Sequence, residues 1–236
     1  MADEHVHLPP EAISTWVLTP GPDEGVRQAK HRLAAQVRVL IEKVALIDVA
    51  ETGVAAVERI AADLGRLTTQ VDALPQFPAG AAEAGIDDSR LLERSPLSGA
   101  CNALAPPLHV ELDGDRVVGW AVYGYAYEGP AGCVHGGYVA GAFDDILGCA
   151  QMLSGSAGFT GTLTVRMVRP TPLNERIDYE ARLRTFEGRK IVVTATAAYA
   201  GEVVAEAEGL FITPRSGLDG ERMARMALPS KRTGAD

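Results

Sequence analysis

One short stretch constrains the fold more than any other. From Gly136 onward, Val139, Ala142, Phe143, Ile146, Leu147 and Ala150 recur mostly at steps of three and four, the period of a mostly buried helix. The run before it, Gly132-Cys133-Val134-His135-Gly136-Gly137, carries three glycines, which permit a tight loop and the close approach of another molecule. Two adjacent carboxylates, Asp144 and Asp145, sit on the helix. Aspartate is rarely buried unless it is paired or at work. Neighbours on a helix lie about 100° apart, so the two cannot share a face. The helix start offers unpaired N–H donors and a partial positive charge, a place for a developing anion. A carboxylate and an anion site on one short helix are the parts of a hydrolase.

The chain on either side of this helix reads as strands. Residues 108–112 and 117–127 flank the turn Asp113-Gly114-Asp115, and 160–168, 177–185, 189–199 and 203–213 follow the helix. Each is rich in Val, Ile, Thr or Tyr, with Ala also frequent, and Glu187-Gly188 and Ala200-Gly201 read as hairpin turns. One long helix with an antiparallel run of strands implies an α+β domain whose sheet curls around the helix. Apolar residues make up 47% of the 236, enough for a sizeable core, and the net charge of −9 argues against nucleic acid as the main partner. Cys101, Cys133 and Cys149 share no metal-ligand spacing and leave one unpaired, which suits a reducing compartment. No run approaches the roughly 18 apolar residues of a membrane span. The expectation is a cytoplasmic protein with no membrane partner, no metal and no cofactor.

The N-terminal half is a different material. Residues 1–22 are Pro-rich and read as flexible. Across 23–74, Val26, Leu33, Val37, Leu40, Ile41 and Val44 repeat at helical spacing, and Gly53 interrupts, with Thr52 a candidate cap. Val57, Ile60, Leu64, Leu67, Val71 and Leu74 then alternate steps of three and four, nearly three heptads of a coiled-coil seam. Two readings stay open: a helical hairpin covering its own domain, or a dimerising arm. Residues 75–104 read as a linker, 105–215 as the sheet domain and 216–236 as a flexible tail.

The segment Glu128-Gly129-Pro130-Ala131-Gly132-Cys133-Val134-His135-Gly136-Gly137 resembles the entry loop of hotdog-fold acyl-CoA thioesterases of the phenylacetate-pathway (PaaI-like) type. Asp144 stands nine residues after His135, where that family carries its catalytic acid. Thr160 falls where one branch has an active-site hydroxyl. Arg169-Pro170-Thr171-Pro172-Leu173 is similar to a strand-end motif of the family, and Glu187-Gly188-Arg189-Lys190 to a hairpin that touches coenzyme A. These matches, in order along the chain, carry the resemblance. It covers under half the chain and leaves the helical extension outside.

The resemblance implies a hotdog fold and hydrolysis of an acyl-CoA, by a homodimer or a dimer of dimers whose sites are shared between chains. Asp144 is then the general base or the nucleophile, with Asp145 its bystander. Gly136 and Gly137 supply oxyanion N–H groups, each such donor typically worth about 3 kcal/mol in the transition state. His135 orients the loop or binds the carbonyl, and Thr160 holds the water. Arg166, Arg189 and Lys190 are candidates for the phosphates of coenzyme A. A reading from another class stays beside it: a non-catalytic acyl-CoA-binding or scaffold protein acting through its helical N-terminal half.

Overall fold

The computed structural model of the protein describes residues 24–76, 93–106 and 108–214. The expectations for 1–22 and 216–236, and for 77–92 of the linker, lie outside the described residues. Two helices open the described chain, α1 (Glu24–Ala45) and α2 (Val54–Asp72). The sheet domain follows as β1 (His109–Asp113), β2 (Arg116–Val122), α3 (Gly136–Ala150), β3 (Phe159–Met167), β4 (Arg176–Glu187), β5 (Lys190–Tyr199) and β6 (Glu202–Ile212).

All strand neighbours are antiparallel, in the order β1-β2-β4-β5-β6-β3. The β4–β5 and β5–β6 hairpins turn where expected. Ala200 and Gly201 both adopt positive φ, 50° and 83°, as a hairpin turn twisted to match its strands requires. The helix α3 lies on one face of the sheet, and its own apolar stripe, Val139 to Ala150, is buried.

The alanines in the strands follow from that packing. Alanine is a poor strand former by itself. Here Ala121, Ala181, Ala195, Ala197, Ala205 and Ala207 lie on the buried face, which lets the helix come close to the sheet. At Gly119 the approach is tighter still: an added Cβ would stand 3.3 Å from Ile146 Cδ1 of α3 and 2.4 Å from the carbonyl oxygen of His109. Larger residues, Phe143, Ile146, Leu147, Tyr179, Ile191, Val193 and Phe211, complete the core.

Three local expectations are corrected. The strand read over 117–127 ends at Val122, and Tyr125–Tyr127 form a 3-10 turn instead. Of Trp120, Tyr123 and Tyr125, only Tyr123 is buried; its hydroxyl pairs with that of Tyr179 at 2.7 Å. Thr52 does not cap α2. Its hydroxyl donates to the Asp48 carbonyl, and Gly53 occupies the N-cap position without a side-chain bond.

The last correction concerns the linker read to 104. Residues 93–106 form a packed strap across α3. Ser95 Oγ donates to Asp145 Oδ2 at 2.9 Å, and an added Cβ at Gly141 would stand 2.5 Å from Leu97 Cδ2. The helix α1 clamps the strap from outside, with Arg38 donating to the carbonyls of Ala100 and Asn102 and with Arg27 and His31 meeting Glu93. Turns and small polar residues hide this from a sequence reading, because the strap is held by side chains distant in the chain.

Candidate active site

The entry loop reaches α3 pinned on both sides. Val134 N–H donates to the Thr171 carbonyl at 2.8 Å and Leu173 N–H to the Gly132 carbonyl at 3.1 Å, so the 169–173 motif holds the loop. His135 N–H donates to the Tyr127 carbonyl at 2.9 Å. His135 is then the N-cap of α3: its Nδ1 accepts from Gly137 N–H at 3.0 Å. The imidazole thus occupies one of the two glycine amides assigned to the oxyanion. The Gly136 N–H has no acceptor among the described residues, and Gly136 is exposed.

Two turns further along, Asp144 Oδ1 accepts from Thr160 Oγ1 at 3.1 Å. This contact depends on an irregularity in β3. Strict alternation would put Thr160 on one face with Thr162, Thr164 and Arg166. A β-bulge between Thr160 and Thr162 shifts the register against β6, so Thr160 pairs with the buried Phe211 while Val165 and Met167 pair with buried Ala207 and Ala205. Cross-strand partners share a face. The bulge therefore turns Thr160 toward the helix and leaves Arg166 on the outer face, in an ion pair with Glu206 at 3.1 Å. Bulges commonly re-aim a side chain in this way.

The other predicted cations separate. Arg189 Nε donates to the Thr213 carbonyl at 2.7 Å, which ties down the end of β6. Lys190 is exposed and stands in register with Ile212, itself opposite Phe159. Lys190 thus lies at the Thr160 end of the sheet, two strands away, about 10 Å at the usual strand spacing. Arg166 lies six residues along β3 from Thr160, about 20 Å. Within one chain the three do not converge.

Asp145 does not face solvent, as a bystander would. It is held under the strap by Ser95. Burial raises its carboxyl above the ordinary 3.8, the hydroxyls of Ser98 and Ser95 pull it back down, and the charge of Asp144 raises it again. The neighbouring Cys149 thiol is pushed up by burial first and by the charge of Asp145 second.

Two further constellations were not legible from spacing. The strap and α1 bring His31, Glu93 and Cys101 together, their ligand atoms within 4.8 Å of one another. Arg27 donates to the same Glu93 oxygen that meets His31, and the Cys101 thiol is pushed up to about 11, by burial first and by Glu93 second. With Arg27 and His31 both on Glu93, the cluster pins α1 to the strap. On the sheet, a groove of about 500 Å³ is lined by His109, Trp120 and Arg176 among others, with Trp120 stacked between the other two.

No family model matches the chain. A thioesterase superfamily protein of known crystal structure is 32% identical over 78% of this chain and 94% of its own length, with a TM-score of 0.67. Residues 108–236 are 129 of 236, about 55% by that count, so the likeness takes in part of the N-terminal half. Two more distant structures are also similar. The PaaI protein of the E. coli phenylacetic acid degradation operon is 17% identical over 44% of this chain and 82% of its own, TM-score 0.42. A hypothetical thioesterase of Streptococcus pneumoniae, solved with coenzyme A, is 18% identical over 47% of this chain and 91% of its own, TM-score 0.43. Among the described residues no helix is long and apolar enough to cross a membrane. With a six-stranded antiparallel sheet around one helix and a 32% identical relative covered almost from end to end, the chain belongs to the thioesterase superfamily and has its hotdog fold.

Proposed function

We propose that the protein hydrolyses an acyl-CoA thioester to the free acid and coenzyme A. The observation that carries this is the Asp144–Thr160 pair: a carboxylate steadied by a hydroxyl, on a helix whose exposed first residue keeps a free N–H. Asp144 Oδ2 has no partner among the described residues and is available for chemistry. It acts on the thioester as base through a water or as nucleophile directly. Either route puts negative charge on the carbonyl oxygen, which Gly136 N–H receives. Collapse expels the thiolate of coenzyme A. On the base route the thiolate takes up the proton that Asp144 drew from water. On the nucleophile route the acyl group stays on Asp144 as an anhydride, which a water then hydrolyses to the free acid, its proton going to the thiolate. His135 fixes the helix start, and Gly137 serves through the bond that sets the imidazole.

One chain does not complete this site. Gly136 and Asp144 are eight residues apart on α3, about 12 Å at 1.5 Å per residue. Met167, at the far end of β3, lies by Gly136: an added Cβ there would be 3.5 Å from Met167 Cε. Thr160, at the near end, lies by Asp144. The strand β3 is a sheet edge. Antiparallel pairing of two such edges would bring Gly136 and Arg166 of a second copy to Asp144, Lys190 and Arg189 of the first. The working unit is then a homodimer or a dimer of dimers, with two sites per pair.

The test is release of free thiol from a panel of short, medium, long and aryl acyl-CoA substrates. Release that survives chelator supports the assignment, because the groups named are all the chain's own. Binding without release across the panel would favour the scaffold reading. For the shared site, Gly136→Pro chains, which lose one N–H where proline is tolerated, are mixed with Asp144→Ala chains. Random pairing returns about a quarter of wild-type activity. A mixture as inactive as its parents, with heterodimers seen by native mass spectrometry, would sink it.

A further inference from the structure

The helical arm carries two apolar stripes that the described residues of its own chain leave uncovered. No residue of α2 is buried, and Ile60, Leu67 and Leu74 of its heptad seam are 49%, 54% and 57% exposed. No described element packs along α2, and α1 does not form a hairpin with it. The helix α1 has turned its polar side inward, with Arg27, His31 and Arg38 on the strap. Of its apolar stripe, Val26, Leu33, Val37 and Val44 face away, 75%, 46%, 37% and 50% exposed, while Leu40 and Ile41 are half-buried. Helices of this length draw most of their stability from packing an amphipathic face, so both stripes call for a partner.

We propose that the arm of a second copy covers them, with α2 of each chain lying on α1 of the other about a two-fold axis. The alternation of three and four along α2 fits the side of another helix, which a/d packing requires. Charge selects which helix. Leaving out Arg27 and Arg38, which face the strap, α1 carries Lys30, Arg32 and Lys43 against Glu24 and Glu42, a surplus of one positive charge. Within its bounds α2 carries Glu58, Asp63 and Asp72 against Arg59 and Arg66, a surplus of one negative. Pairing α1 with α1 repels, and pairing α1 with α2 attracts. The area is adequate. Burying the two stripes of both arms removes on the order of 1,500 Å² from water, above the roughly 1,000 Å² that a specific interface needs. None of these residues belongs to the proposed active site, so this contact stands apart from the catalytic reading and from pairing through β3.

The test uses the full chain in sedimentation experiments over a range of concentrations. Leu64→Asp/Leu67→Asp on α2 and Leu33→Asp/Val37→Asp on α1 should each weaken the largest assembly at least tenfold. Cooperative thermal unfolding of the sheet domain should be retained in both. An unchanged assembly in either variant overturns the proposal. A chain carrying both Val37→Cys and Leu64→Cys separates self-covering from partner-covering. Under mild oxidation at micromolar concentration it should form covalent dimers, beyond what the wild-type cysteines give. Closure to a monomeric disulfide would show that α2 folds back on its own α1, and the proposal falls.

Discussion

Asp144 and Asp145 are neighbours on α3, yet the helix presents them to opposite worlds. Asp144 meets Thr160 on an exposed sheet edge, half-buried, with one carboxylate oxygen uncommitted. Asp145 meets Ser95 beneath the strap, where burial raises its carboxyl. The rotation of about 100° between adjacent helical residues accounts for the split. What it teaches is that a helix with two carboxylates need not have two working ones. The side facing the open edge can carry chemistry, while the side facing the strap holds the helix in place.

The strongest way to break this contrast is to neutralise each acid in turn. Asp144→Asn should lower kcat by about 100-fold or more, as loss of a base or nucleophile does, with KM little changed. Asp145→Asn should keep kcat within a few-fold, because an amide still accepts from Ser95. Steady-state thiol release decides between them, and the reverse order would move the chemistry to the strap side. Next in size is Thr160→Val, which removes the hydroxyl and keeps the shape. A tenfold fall in kcat is expected, about the 1.4 kcal/mol of one hydrogen bond to a charged group, with Thr160→Ser restoring most of it. If valine is harmless, the bulge serves only the sheet.

On the strap side the effects should appear in stability and leave turnover alone. Ser95→Ala leaves Asp145 short of a donor and should cost about 1–2 kcal/mol, seen as a lower melting temperature. A large fall in kcat with no change in melting would contradict the division of labour. The smallest effect is on pH dependence. A carboxyl raised on folding binds a proton more tightly in the native state. Its contribution is therefore full below the ordinary 3.8 and is lost as pH rises through the raised value. Asp145→Asn should flatten the fall in stability over that window. A slope that stays unchanged would mean Asp145 is not the group responsible.

The legible part of the protein was the part set by local pattern. The periodicity of 136–150 marked α3, and turn residues marked the hairpins. These signals survive because a helix stripe or a hairpin is encoded within a few residues of itself. The apolar seam of α2 was equally visible.

Tertiary structure alone decided the rest. It put His135 on the amide of Gly137, turned Thr160 inward by a one-residue bulge, and sent Arg166 to the opposite face. Gly161 stands at the bulge and marks where one can form, but which way Thr160 then points depends on the neighbouring strand. It also made a strap of what reads as linker, and set the polar side of α1 against it. Amphipathic pattern says which face of α1 is apolar. It does not say that a buried acid, Glu93, waits on the domain to draw Arg27 and His31 inward. That choice is made by partners some 60 residues away in the chain, and it is why the apolar side of the arm is left facing out.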